Sequence, residues 1–405
     1  MKNSGIEWIG QIPNHWELSK IGTLYTERKT KVSDVDYPPL SVTMKGIVPQ
    51  LATAAKTDAH DDRKLVCVGD FAINSRSDRR GSCGISAYDG SVSLINTILT
   101  PRKSMNPRYY NWLFHTSSFA DEFYSCGHGI VDDLWTTNWQ DMKRIQIPIP
   151  PLAEQQAIAD FLDKQCAEID AVIAQTKATI EEYKALKQSI ITEAVTKGIR
   201  GDRPMKDSGI EWIGEIPSEW DTSKLKFEST FKQNKYSVDD GSLNYIGLEN
   251  IVAWNGQYID SDSQYDREQS LVCDKDDILF GKLRPYLAKV FICPFKQCCS
   301  GEFCVITVHK QNNRFIWYQL ISHGFIFMVD RSTYGTKMPR ANADYIKNMQ
   351  IAIPSIDEQE EIVLYLDQKC SEIDRLIEKK TQLLEEMETF KKSLIFDYVT
   401  GKKTV

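Results

Sequence analysis

Residues 151–198 begin Pro151-Leu152-Ala153-Glu154-Gln155-Gln156-Ala157-Ile158 and end Glu193-Ala194-Val195-Thr196-Lys197-Gly198, with neither glycine nor proline from Leu152 to Lys197. Proline ahead and glycine behind punctuate a helix, because the first turn needs no amide from the proline and the glycine takes the left-handed turn that ends it. At about 1.5 Å per residue the rod would run roughly 65 Å. A helix of that length without internal caps calls for a coiled-coil partner rather than a globular core. Counting alternately four and three residues from Ile158 gives Ile158, Leu162, Gln165, Ile169, Val172, Thr176, Thr179, Tyr183, Leu186 and Ile190. Seven of these ten are apolar or aromatic, an imperfect heptad seam.

The stretch occurs twice. At an offset of 204 the seam becomes Ile362, Leu366, Lys369, Ile373, Leu376, Lys380, Leu383, Met387, Phe390 and Leu394, with eight apolar positions. Identities flank it: Glu154-Gln155 with Glu358-Gln359, Leu162-Asp163 with Leu366-Asp367, Cys166 with Cys370, and Glu168-Ile169-Asp170 with Glu372-Ile373-Asp374. Two such seams in one chain most simply bury each other as an antiparallel intramolecular pair; the alternative is that each dimerises with another molecule. The same offset carries Ser4-Gly5-Ile6-Glu7-Trp8-Ile9-Gly10 onto Ser208-Gly209-Ile210-Glu211-Trp212-Ile213-Gly214. The plan is therefore segment, domain and rod, each repeated once. Expected boundaries are a first domain at 1–150, a helix at 151–201, a second domain at 202–354 and a helix at 355–405. The fold class is α+β, two similar mixed α/β domains separated by two long helices.

A chain of 405 residues with 41% hydrophobic content can build more than one core. No apolar run approaches a membrane span, and Met1-Lys2-Asn3-Ser4-Gly5 lacks the apolar core of a signal peptide, so a cytoplasmic protein with no membrane partner is expected. Net charge is −7, but residues 151–201 carry −2 and residues 355–400 carry −6, which leaves +1 for the rest. A phosphate-binding surface would have to be built from local basic clusters in the domains.

Within the domains, Leu40-Ser41-Val42-Thr43 reads as a short strand and Leu65–Asn74 as two strands across Gly69-Asp70. The second copy answers with Leu271–Gly281. Asn106–Phe114 and Asn312–Leu320 each read as a short amphipathic helix behind the sheet. The elements recur while the loops between them diverge, as expected where loops carry a variable specificity.

Basic residues gather in those loops. Arg76, Arg79 and Arg80 follow the first Gly-Asp strand, and the sequence comparison sets Lys282, Arg284 and Tyr286 against them. Lys337 and Arg340 form a second cluster, in a loop whose first-copy counterpart, Gly127–Asp133, is acidic; Lys45 lies in another first-copy loop. Arg and Lys beside Asn, Ser and Tyr hold phosphates and read base edges. The competing reading of any one of them is a solvated loop charge, and recurrence at the same place in both copies is what favours the functional one.

Catalytic patterns are missing from the sequence. An adenine methyltransferase needs an Asn/Asp-Pro-Pro-aromatic loop and a glycine-rich loop for its methyl donor; Asp36-Tyr37-Pro38-Pro39 has the letters in the wrong order, and Gly127-His128-Gly129 is too short. No phosphate-binding Gly-x-x-x-x-Gly-Lys-Ser/Thr occurs, and the six histidines show no ligand spacing. Cys293, Cys298, Cys299 and Cys304 cluster without a Cys-x-x-Cys pair and read as thiols buried or half-buried in strands, not as a metal site.

Gly-Ile-Glu-Trp-Ile-Gly-x-Ile-Pro-x-x-Trp ahead of each domain and Pro-Pro-Leu-x-Glu-Gln-Gln opening the first rod resemble the DNA-specificity subunits of type I restriction-modification systems. The resemblance spans essentially the whole chain. It implies two target-recognition domains, each reading half of a split site in double-stranded DNA, held apart by an antiparallel pair of helices whose length sets the gap. It implies a non-catalytic chain without a cofactor of its own. Two methyltransferase subunits would dock on the helices and bring S-adenosylmethionine, with restriction (motor and nuclease) subunits joining for cleavage in host defence. Two rivals stand beside this reading: a diverged methyltransferase or nuclease with its own activity, and a coiled-coil adaptor that binds only protein.

Overall fold

The computed structural model describes residues 1–50, 60–76, 79–102, 105–129, 135–236, 243–261, 270–335 and 337–405. The chain divides into two compact units, one of Met1–Lys177 with Gln382–Val405 and the other of Ala178–Thr381. The division therefore cuts both long helices, Leu152–Lys197 and Ile356–Val399, and each unit owns part of each. Among the described residues no helix is long and apolar enough to cross a membrane.

In the first unit a four-stranded antiparallel sheet runs in the order Cys83–Ile85, Phe71–Asn74, Asn96–Pro101, Tyr25–Glu27. Phe71–Asn74 is buried throughout because it is covered on both faces. Phe71 and Ile73 point to the helices Pro107–Phe114 and Ser117–Ser125, in a cluster that includes Tyr109, Phe114 and Phe119. Ala72 points the other way, onto Leu40, Ile47, Val66 and Val92. The period of two thus feeds two apolar layers, which is why the strand reads as an unbroken apolar run. Each large side chain so buried contributes about 1.5–3 kcal/mol.

The second unit repeats this arrangement. Its sheet runs Ser229–Lys232, Phe303–Val308, Ile278–Gly281, Val290–Ile292. Ile278 and Phe280 face the helices Asn313–Ile321 and His323–Arg331, while Leu279 faces Ile246, Cys273 and Cys299. A three-stranded sheet of Tyr245–Ile246, Gln297–Cys299 and Leu271–Cys273 covers that second face.

The two strands read across Gly69-Asp70 do not pair with each other. Arg63–Val66 joins Gly90–Ser93 and Lys31–Val32, whereas Phe71–Asn74 joins the four-stranded sheet, so the turn is a corner between sheets. Gly69 takes φ +87° there, and Asp70 fixes the corner by accepting from Cys67 N (2.9 Å), Arg28 Nε (2.6 Å) and Thr100 Oγ1 (3.0 Å). Asp277 does the same in the second unit, accepting from Asp274 N (2.8 Å), Lys232 Nζ (2.7 Å) and Thr307 Oγ1 (2.5 Å). A buried carboxylate is tolerable only when cation and donors satisfy it together, and that accounts for the recurring aspartate.

Both units anchor a long helix identically. Trp16 Nε1 donates to Glu154 (2.8 Å) and Trp220 Nε1 to Glu358 (2.9 Å). Gln155 accepts from Asn106 N and Gln359 from Asn312 N, each at 2.8 Å. Arg108 and Trp112 hold Asp163, at 2.9 and 2.7 Å, and Arg314 and Tyr318 hold Asp367, at 3.1 and 2.5 Å. The repeated Trp, Glu-Gln and Asp are thus the joints between domain and rod.

In the first unit Phe161 stacks beside Tyr398 at 4.4 Å and Lys391 grips Asp170 at 2.6 Å. In the second, Lys187 grips Asp374 at 2.7 Å and Arg200 meets Glu361 at 2.8 Å. Rising numbers on one strand of the pair meet falling numbers on the other, so within each unit the helices run antiparallel.

Beyond Ile158 and Ile362 the seam differs from the sequence expectation at every second position. Ile158, Leu162, Ile169, Ile362, Leu366, Ile373 and Leu394 are buried, and Tyr183, Ile190 and Met387 half-buried. Val172, Leu186, Leu376, Leu383 and Phe390, however, are 41–56% exposed. Their places are taken by the next residue along: Cys166, Ile173, Ile180 and Lys187 on one helix, Cys370, Ile377, Leu384 and Lys391 on the other, all buried or half-buried. One residue is about 100° around a helix. The count from Ile158 places a three-residue step where the helix takes four, and it seats Gln165 and Thr179 where Cys166 and Ile180 pack better. Burying Lys187 in that row is made possible by Asp374.

Candidate nucleic-acid interface

The basic clusters of the second unit meet at a junction of three loops beyond the end of Ile278–Gly281. Lys282 N donates to Glu302 O (2.8 Å), Ala341 N to Lys282 O (2.9 Å), and Arg284 N to Pro339 O (2.8 Å). Leu283 bridges Arg340, and Arg340 bridges Tyr334. The segments 282–286, 300–302 and 334–341 are therefore bound edge to edge, which brings Lys282, Arg284, Tyr286, Lys337 and Arg340 together.

The side chains there have different fates. Lys282 turns inward and donates Nζ to Gly301 O (2.8 Å). Arg340 is ion-paired with Glu302, whose second carboxylate oxygen is buried with no partner among the described residues. Arg284 adopts a left-handed φ of +50°, unusual for a side chain with a Cβ, and holds its exposed guanidinium out of the loop; among the described residues it has no hydrogen-bond or ion-pair partner. Tyr286, Lys337 and Met338 are exposed beside it. A flat cation among an aromatic ring and an apolar tip can reach base edges as well as phosphates.

The first unit has the same junction in its backbone. Ser75 N donates to Ile95 O (3.3 Å) and Thr137 N to Ser75 O (3.0 Å); Arg76 bridges Thr136, and Thr136 bridges His128. Arg76 therefore corresponds to Leu283, not to Lys282, whose counterpart is Ser75. Loop insertions that cancel over the whole domain shift the local offset from 204 to 207, as the pair Asp70 and Asp277 also shows, so Arg76, Arg79 and Arg80 do not stand residue for residue against Lys282, Arg284 and Tyr286.

Arg76 is half-buried and Arg79 exposed, one turn apart. Arg80 is drawn away, paired with Asp121 and stacked 5.2 Å over the Tyr124 ring. Lys45 is exposed in the tight turn of the hairpin Leu40–Thr43 and Gly46–Pro49; among the described residues no contact ties it to the junction. The acidic pair Asp132-Asp133 of the facing loop lies outside the described residues. Glu302 and Ile95, which sit at equivalent places in the two junctions, are residues the sequence reading passed over; only strand register identifies them.

Among the described residues Cys293, Cys298, Cys299 and Cys304 are buried and form no disulfide, and burial pushes the Cys304 thiol up to about 11. A thiol so raised, as at Cys304, stays protonated at neutral pH.

The sequence model of the family described as type I restriction modification DNA specificity domain matches residues 53–182 and 217–386, more than half of the chain. The MjaVIII type I restriction enzyme specificity subunit of Methanocaldococcus jannaschii is 23% identical, over 97% of this chain and 94% of its own. The EcoDI specificity subunit of Escherichia coli is 22% identical over 65% of this chain and 64% of its own. Among solved structures, a chain from work on complex assembly and conformational transition of the type I R-M system aligns at TM-score 0.73 with 12% identity, covering 97% of this chain and 100% of that one. The HsdS subunit from Thermoanaerobacter tengcongensis aligns at 0.53 with 14% identity, covering 97% and 98%. With its duplicated domains, duplicated helix joints and duplicated loop junction, the chain belongs to the type I restriction-modification DNA specificity family and is a sequence-specificity subunit of such a system.

Proposed function

We propose that the domains at 1–150 and 202–354 each read one half of a bipartite site in double-stranded DNA, through the loop junction at the end of the central strand. The observation that carries this is one backbone junction dressed with two unrelated side-chain sets, Ser75, Ile95 and Thr136 against Lys282, Glu302 and Arg340. A scaffold under structural constraint alone has no reason to keep the bonds and change every side chain. Within that reading Arg284, Tyr286, Lys337 and Arg340 contact the duplex in the second unit, and Arg76 and Arg79 in the first.

The long helices, in this reading, carry two methyltransferase subunits that bring S-adenosylmethionine, and the chain has no catalysis of its own. The exposed apolar side chains on the rods support it: Val172, Leu383 and Phe390 in the first unit, Leu186 and Leu376 in the second. Apolar rows left outside a seam mark protein contacts. A restriction subunit joins where the complex cleaves, and the setting is the cytoplasm.

The test is DNA retention by the chain with and without its methyltransferase subunit, on a library of random duplexes, with S-adenosylmethionine binding measured in parallel. The reading expects a two-part motif to emerge from the complex and no S-adenosylmethionine binding by the chain alone. Turnover or binding of S-adenosylmethionine by the chain alone favours the enzyme rival; sequence-independent retention by the complex favours the adaptor.

A further inference from the structure

Resting on the recognition reading above, we propose that Glu302 is a specificity-determining positioning residue, which fixes the Arg340 guanidinium so that it reads one base pair of the second unit's half-site. Three observations bear on it. Glu302 begins the edge of the junction: its carbonyl accepts from Lys282 N at 2.8 Å, and the preceding Gly301 carbonyl accepts from Lys282 Nζ, also at 2.8 Å. Its backbone is thus held from two directions and its side chain has a fixed origin. The carboxylate is ion-paired with Arg340, whose own N donates to Tyr334 O at 3.1 Å and whose carbonyl accepts from Tyr334 N at 3.3 Å. Finally, the first unit has Ile95 and Thr136 at the two corresponding places, so this pair is present in one reader and missing from the other while the backbone stays the same.

A pair of this kind is poorly suited to gripping phosphate, since the acid cancels the cation's charge toward the backbone of DNA. It is well suited to base readout. A carboxylate orients a guanidinium through one edge and leaves the other N–H groups in a fixed plane, the geometry needed for bidentate donation to guanine O6 and N7. Lys282, which would otherwise compete for the acid, is occupied by Gly301. Arg284, whose backbone N bonds Pro339 O beside Arg340 and whose exposed guanidinium has no partner among the described residues, is left as the contact with uncompensated charge.

The experiment uses the full chain assembled with its methyltransferase subunit. The motif of the parent complex is first read by methylation-sensitive sequencing, and binding is then measured on duplexes in which each base pair of that motif is replaced in turn. Glu302→Ala is expected to lower discrimination at one position of one half-site by roughly tenfold or more, to leave the other half-site unchanged, and to leave binding to unrelated DNA unchanged or stronger. Glu302→Asp should restore part of the lost discrimination, which a packing role would not predict for a shorter side chain. Glu302→Gln, close in shape, covers the case in which the alanine variant does not fold, and is expected to relax the same position. A uniform loss across all sequences, or an unaltered motif in the glutamine variant, overturns the proposal. A parent complex with no sequence preference instead overturns the recognition reading on which it rests.

Discussion

The two loop junctions make the same backbone bonds with different consequences. Thr137 N reaches Ser75 O at 3.0 Å and Ala341 N reaches Lys282 O at 2.9 Å; Arg76 bridges Thr136 as Leu283 bridges Arg340. Yet the first junction places a short hydroxyl, an isoleucine and a threonine where the second places a lysine, a glutamate and an arginine. The joints between domain and helix behave in the opposite way, keeping both backbone and side chain: Trp16 to Glu154 and Trp220 to Glu358 differ by 0.1 Å, 2.8 against 2.9 Å. The lesson is where variation is permitted. The bonds that set the domain on its rod recur at the same places, with the Trp to Glu and Gln to Asn bonds kept and only Trp112 exchanged for Tyr318 on the aspartate, while the side chains that crown the central strand are free to differ.

The largest expected effects test the shared part. Trp16→Ala and Trp220→Ala each remove a fully buried indole and one of the donors to a glutamate, and each should cost its own unit about 3–5 kcal/mol. Chemical unfolding followed by hydrogen exchange in each unit would read it. Strongly unequal losses would mean that the joints are alike in geometry only.

Two of the rod ion pairs, Lys187 with Asp374 and Lys391 with Asp170, should differ by their burial. Asp374→Asn strips the partner from Lys187, whose side chain is 11% exposed, and should cost about 1–3 kcal/mol. Asp170→Asn, at the more open Lys391 pair, should cost less than about 1 kcal/mol. Melting of the two variants side by side measures the gap, and equal losses would contradict the burial argument.

At the junctions, Arg284→Ala should lose about 1–3 kcal/mol at the cognate site if the guanidinium reads a guanine edge, with relaxation of one base position. A phosphate contact would weaken all sequences alike and flatten the salt dependence. Arg80→Ala should change cognate binding far less, because Arg80 is committed to Asp121 and Tyr124. Titrations of both variants at two salt concentrations decide between these outcomes, and a larger loss for Arg80→Ala would reverse the assignment.

The smallest effect separates the units by pH. His115 is half-buried in the first unit, and the desolvation lowers its pKa; the equivalent place in the second unit holds Ile321. A histidine whose folded pKa lies below its unfolded value, near 6.5, costs nothing above that pH and subtracts stability as the pH falls below it. His115→Leu should therefore reduce the difference in melting temperature between pH 7.5 and pH 5.5. No change in that difference would show that His115 exchanges protons freely in the folded chain.

Much of the scaffold could be read from residue order because it is periodic or repeated. The long helices announce themselves through Pro151 and Gly198 and through a heptad, and the repeat announces itself through Trp, Glu-Gln and Asp, which the structure explains as joints. The seam was legible in half its positions. A heptad count has two rows, and only the burial seen in the folded chain decides that Ile173 and Ile180, rather than the exposed Val172 and the polar Thr179, make the second. The junction was legible as basic loops but not as an alignment, because insertions before and after Asp70 cancel and hide a local shift of three residues. Glu302 gave no signal, since an acid among basic residues looks like a solvated charge until strand register sets it beside Arg340.

The central claim is that each unit reads its own half-site, and the most direct test is an exchange. Residues 21–147 are replaced with the corresponding domain of another member of the family, the chimera is expressed with its methyltransferase subunit, and methylation-sensitive sequencing reports the motif. The account predicts that one half of the motif changes to that of the donor while the half read by the second unit stays as in the parent. A folded, methylating chimera that loses both halves, or keeps both, would contradict it.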